Sequence, residues 1–284
     1  MRKPTFIALC LGGAVALAAC ERPEEAEVER ALSDIDVIDE SNMSDIMLTV
    51  ADPDEAVGYF RSAAARQPGR IDLQRGLATS LVRAKQPAQA AGVWRRVVDL
   101  GGTNEDRVAL AGALIRSGDW QAAETALQSV PAAFESVERL RLEAMISDSR
   151  EDWARADEYY AAASSRAPQP AGILNNWGFS KLSRGAFEDA ERLFGEALNS
   201  DPTLFTAKNN LVLARGAQRD YDLPVVPMSQ VERAQLLHSL ALTAIKQGDV
   251  GIGRGLLNDA VETHPRHFEV AARALDALGS APAN

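Results

Sequence analysis

The sequence predicts an all-α chain: a superhelical stack of six to seven helical hairpins, an α-solenoid, closed by a C-terminal capping helix. Three observations predict it. Alanine supplies 49 of the 284 residues and aromatic residues only 6%, and alanine gives up no side-chain entropy on entering a helix. The same composition argues against a β-sandwich or barrel, which needs β-branched and aromatic residues in alternation. Small and apolar residues also recur about every 34 positions, as they must where each unit buries its apolar face only against its neighbours.

The N-terminus reads as an address. Met1-Arg2-Lys3 and the apolar run from Phe6 to Ala19 have the layout of a secretory signal peptide, assigned to residues 1–19 and too short to span a bilayer comfortably. Leu17-Ala18-Ala19-Cys20 resembles the bacterial lipobox. That resemblance implies cleavage before Cys20 and a lipid on it; ordinary secretion or an uncleaved anchor are the alternatives. Cys10 is the other cysteine and lies in the removed part, so no intramolecular disulfide is possible. Several acyl chains on one residue hold a protein firmly at a bilayer. An aspartate after the lipidated cysteine commonly retains Gram-negative lipoproteins in the inner membrane, so Glu21 implies the outer membrane, facing the periplasm.

Residues 21–40 hold nine acidic and two basic side chains. Such a run repels itself and stays extended, so 20–40 reads as lipidation site and solvated tether, or as an acidic docking peptide. The net charge of −10 disfavours a nucleic-acid partner. Most of it belongs to the tether, which carries −7, whereas residues 41–284 carry 31 acids against 26 bases.

The array itself spans 41–220. Segment 171–204 is its clearest unit, with Gly178, Gly185, Phe187, Ala190, Phe194, Ala197 and Pro202 at tetratricopeptide-repeat (TPR) spacing, a resemblance with a physical basis. Gly178 and Ala190 let two helices approach, Gly185 makes the turn, Phe194 and Ala197 pack one hairpin on the next, and Pro202 opens the following unit. Upstream, 137–170 matches through Trp153, Ala156, Tyr160, Ala163 and Pro168. Segment 105–136 matches through Gly112, Gly118, Trp120 and Ala123, with a shortened second helix ending at Pro131. Segment 71–104 carries Leu77, Ala90 and Trp94, and 37–70 keeps Ala56, Phe60, Ala63 and Pro68 behind a poor first helix. Downstream, Asn209-Asn210-Leu211 repeats Asn175-Asn176-Trp177 after 34 residues.

After Tyr221 the pattern breaks. Pro224 and Pro227 flank Val225-Val226 where a second helix is due, so 221–228 reads as an extended strap, followed by a helix capped by Ser229. The strap is either a decayed repeat or a pivot. Residues 229–284 then hold a last hairpin, through Leu240, Ala241, Gly248, Ala260 and Pro265, and a capping helix over about 268–279.

Little here points to chemistry. His264 and His267 lack partners at metal-ligand spacing, and His238 stands alone. Gly251, Gly253 and Gly255 follow no strand, so they read as small residues at a helix contact rather than a phosphate loop. No nucleophile elbow, zinc-protease or Walker motif occurs, so the chain reads as non-enzymatic, with no metal, cofactor or small-molecule substrate. A TPR array instead offers a groove lined by the first helix of each hairpin. Arg75, Arg141, Asn175, Asn209, Asn210 and His238 are the candidate peptide-binding positions; asparagine amides can pair with a peptide backbone. Ordinary solvated side chains are the competing reading.

The C-terminal run is more specific. Pro224-Val225-Val226-Pro227, Glu232-Arg233-Ala234-Gln235-Leu236-Leu237-His238, Lys246-Gln247-Gly248-Asp249 and Thr263-His264-Pro265-Arg266-His267-Phe268 resemble the TadD-type TPR lipoproteins of the tight-adherence (Flp pilus) system. The resemblance implies an outer-membrane lipoprotein that helps the pilus secretin assemble or reach its membrane, with the secretin or another Tad secretion protein as partner and no active site. The alternative is an envelope adaptor that recruits peptidoglycan hydrolases.

Overall fold

The computed structural model describes residues 43–280. The signal peptide, Cys20 and the acidic tether lie outside the described residues, as do 41, 42 and 281–284.

Among the described residues all regular structure is helical. A short first helix, α1, covers residues 43–49. There follow α2 (Pro53–Arg66), α3 (Ile71–Arg83), α4 (Pro87–Asp99), α5 (Asn104–Arg116), α6 (Trp120–Gln128) and α7 (Val137–Ser149). Then come α8 (Trp153–Arg166), α9 (Ala171–Ser183), α10 (Phe187–Ser200), α11 (Phe205–Ala217), α12 (Gln230–Lys246), α13 (Val250–Thr263) and α14 (Glu269–Ser280). Most are 12–14 residues, three to four turns, and α6 has only nine. Packing runs between helices adjacent in the chain and, more sparsely, between first helices of successive hairpins, α5 with α7 and α9 with α11. This is an α-solenoid. None of the described helices is long and apolar enough to cross a membrane.

Local chemistry places the helix ends. Asp52, Asp119, Ser136 and Asp152 accept first-turn backbone N–H groups of α2, α6, α7 and α8. Thr103 with Asp106, and Ser229 with Glu232, form reciprocal capping boxes at α5 and α12. Arg83 of α3 donates to the carbonyls of Met47, Leu48 and Ala51, satisfying the open end of α1.

From α3 onward, each first helix is followed by one residue at positive φ where the chain reverses: Lys85, Gly118, Glu151, Gly185, Arg219 and Gly248. Successive turns lie 33 or 34 residues apart until the last step, from Arg219 to Gly248, which shortens to 29. The turn at Arg219 is therefore made as usual, and the helix that should follow it is absent. Residues 221–229 run without helix instead. Tyr221, Leu223 and Met228 pack on Val212, Leu236 and Leu240, while Val226 packs on the core of α9–α11. Tyr221 also donates from its hydroxyl to Asp249 at 2.6 Å, and Arg219 pairs with the same carboxylate at 2.8 Å.

The core is a chain of local clusters rather than one centre, as nearest-neighbour stacking requires. Phe60, Tyr160 and Phe194 are its largest fully buried side chains. Phe194 packs in two directions: its ring lies over Gly178 within the hairpin, and it shares a cluster with Ala207 and Leu211 of α11. The glycine run in α13 needs correcting. A Cβ on Gly253 would stand 2.5 Å from Ile245 Cγ1, a true close contact, but Gly251 and Gly255 face open space. One residue of the three serves helix packing.

Candidate functional site

The first helices α7, α9 and α11, with the starts of α6 and α8, enclose a concave pocket of about 530 Å³. Its walls are aromatic: Trp120, Trp153, Tyr160, Phe179 and Phe205 all line it. Phe179 is 56% exposed, an unusual position for so apolar a ring and one that presents it to the groove.

Asn175, Asn209 and Asn210 meet in this pocket, together with Asn176. The 34-residue period puts each pair at the same place on successive first helices. Asn210 Nδ2 donates to Asn175 Oδ1 at 3.1 Å, and Ser239 Oγ donates to Asn209 Oδ1 at 2.8 Å. Each amide has both a donor and an acceptor end. The Nδ2 groups of Asn175 and Asn209 and the Oδ1 of Asn210 therefore remain without a partner among the described residues. Those are the groups an extended backbone needs.

The other three sequence candidates lie elsewhere. Arg75 makes a two-pronged pair with Asp106 of the next first helix, at 2.8 and 2.7 Å. Arg141 is half-buried against Glu138 at 2.6 Å. His238 packs edge-on to Phe268, 5.8 Å between ring centres, where burial pulls its pKa below the usual histidine value. His264 stacks on that ring at 4.8 Å, so two histidines contact the start of the cap. Among the described residues no group of three or more His, Cys, Asp or Glu could hold a metal ion.

Two carboxylates behind the pocket behave oppositely. Asp157, outside the lining, accepts from Trp177 Nε1 at 2.6 Å, Arg184 at 2.5 Å and Lys181 at 3.0 Å. Burial pushes its carboxyl upward, but these three donors outweigh it and hold its pKa below the ordinary aspartate value. Asp148 lines the pocket and accepts only neutral donors, Ser180 Oγ at 2.6 Å and Tyr160 Oη at 2.9 Å. Burial dominates there and raises its pKa.

A raised folded pKa means that folding takes up a proton. Asp148 therefore costs stability increasingly as pH rises from the unfolded carboxylate value of 3.8 through its raised value. We expect Asp148→Asn, which keeps the shape, to raise the thermal midpoint at pH 7 relative to wild type, with the gain fading below pH 3.8. Scanning calorimetry at both ends of that range measures it; a lower midpoint at pH 7 contradicts it.

No family model and no curated protein matches the chain. Solved structures do. The Cut9–Hcn1 complex of the APC/C aligns at a TM-score of 0.58 and 14% identity over 80% of this chain and 46% of that one. The human IFIT1 dimer with PPP-AAAA aligns at 0.56 and 15%, over 80% of this chain and 59% of that one. Pseudomonas aeruginosa PilF aligns at 0.50 and 14%, over 75% of this chain and 99% of that one. The fold is a TPR superhelix. This chain spans roughly half the length of the first two, and at these identities the likeness is one of fold. A TPR groove fits a role in protein–protein interaction.

Sequence reasoning missed the aromatic wall and Asp148. Trp120 and Trp153 stood out only as repeat-pattern residues, and Phe179 and Phe205 carry no motif.

Proposed function

We propose that this chain is a non-catalytic TPR scaffold that receives an extended peptide segment in its groove. Lipid on Cys20 tethers it to the periplasmic face of the outer membrane, and it supports biogenesis of a tight-adherence pilus by helping the secretin assemble or localise. The observation that carries the binding role is the asparagine pocket, where three amides, each with one end unpartnered among the described residues, line an aromatic-walled cavity. The pilus assignment is supported by the strap and cap segments and by the lipobox-like N-terminus. The acidic charge, −10 overall, weighs against nucleic acid.

Replacing Asn175, Asn209 and Asn210 together with alanine is expected to abolish capture of secretin from detergent extracts while the melting profile stays near wild type, because all three are only half-buried. Unchanged secretin multimers in a deletion strain would sink the pilus role. Co-purification of peptidoglycan hydrolases with altered wall turnover would establish the adaptor role in its place.

A further inference from the structure

The lining of the groove pocket has a charge pattern. Of its side chains Asp148 is the one carboxylate, and lysine, arginine and histidine are absent from it. The neighbouring cations are committed: Lys181 and Arg184 both pair with Asp157, and each is 14% exposed. Arg184 also lies 5.5 Å over the Trp153 ring. The pocket thus combines a carboxylate served by two neutral donors with ring faces that attract positive charge through their quadrupoles. Arg184 acts on Asp148 through space but is hydrogen-bonded to Asp157, and burial outweighs its pull, so Asp148 has no directly bonded cation and gains from one that a peptide supplies. The same pocket repels a C-terminal carboxylate or an acidic side chain.

We propose that the groove selects its peptide by one basic side chain, lysine or arginine, lodged between the exposed Phe179 ring and Asp148 while the asparagines hold the peptide backbone. This rests on the peptide-binding reading above. The occupant is a peptide rather than a small cation, because the open amide ends of Asn175, Asn209 and Asn210 include both donors and an acceptor and so pair with the N–H and C=O groups of an extended chain, which an ammonium, having donors only, cannot match. An arginine forms charge-assisted hydrogen bonds to Asp148 and stacks on a ring at once.

The test is selection of a phage-displayed random dodecapeptide library on the full chain in detergent, in parallel with the Asp148→Asn chain and the triple asparagine variant. Wild type should enrich peptides with lysine or arginine at one fixed position. A synthetic copy of an enriched peptide should lose about tenfold in affinity when that residue becomes norleucine. Asp148→Asn should bind the basic and norleucine peptides alike, although its fold is the more stable one. Phe179→Ala, which removes an exposed ring and leaves the core intact, should weaken every selected peptide. Enrichment that needs the asparagines but shows no basic preference, or a preference that survives Asp148→Asn, overturns the selectivity and leaves the groove reading standing. No enrichment dependent on the asparagines overturns both.

Discussion

Asp157→Ala is expected to lower the stability of the chain by about 2–4 kcal/mol, the largest loss from any single polar side chain in the array. The carboxylate joins three donors from the next hairpin, Trp177, Lys181 and Arg184. With it gone, two cations that are only 14% exposed lose their nearest negative charge, and an indole N–H that donates at 2.6 Å loses its acceptor. Asp157 is itself 29% exposed, so water offsets part of the loss and the figure falls below that of a fully buried pair. Asp157→Asn keeps an acceptor for Trp177 and should cost roughly half as much. The pH dependence has a definite sign. A folded pKa below the unfolded 3.8 means that Asp157 contributes in full above the unfolded value and loses its contribution as pH falls through the folded one. Urea titrations at neutral and acid pH check both points; a wild-type midpoint for Asp157→Ala at pH 7 refutes the account.

Two glycines of one hairpin should respond to alanine with opposite signs. A Cβ on Gly178 would stand 2.6 Å from Phe194 Cε1, and Phe194 is fully buried with no room to retreat. Overpacking outweighs the gain in helix propensity, so Gly178→Ala should destabilise by about 1–2 kcal/mol. On the facing helix, Gly195 meets nothing within 4 Å, and Gly195→Ala should stabilise by about 0.5–1 kcal/mol. Phe194→Leu in the Gly178→Ala background should recover part of the loss, since the clashing ring edge is removed. A stabilised Gly178→Ala chain contradicts the packing. The same geometry recurs between hairpins, where a Cβ on Gly76 would run into the Phe60 ring.

These residues also show what the sequence makes legible. Small residues and aromatics at repeat spacing reveal the hairpins because close approach leaves a compositional trace, as at Gly178 and Ala190. The turns are half visible: Gly118, Gly185 and Gly248 signal positive φ, whereas Lys85, Glu151 and Arg219 adopt it without the residue that usually marks it. The groove is less legible still. Repeat register identifies Asn175, Asn209 and Asn210, because register alone decides what faces inward on a first helix. It cannot separate a groove cation from one consumed by a neighbour. Arg75 is taken by Asp106, 31 positions away, and Arg141 by Glu138 on its own helix, pairings that only the superhelix and its rotamers define. Asp148 is the converse case, an ordinary surface letter that becomes a desolvated acid once α8 and α9 close over it.

The missing helix after Arg219 bears on how the molecule comes apart. In a linear stack each unit is held by the interfaces on either side, and cooperativity travels no further than those interfaces carry it. Where a second helix is replaced by an eight-residue strap, one of the two layers is interrupted. The last hairpin and cap are then joined to the rest through α11–α12 packing, the strap's apolar side chains and the Asp249 cluster. Opening of residues 230–280 would release Ser239 from Asn209 and Glu232 from Lys208, so damage at this end reaches the groove through those two contacts.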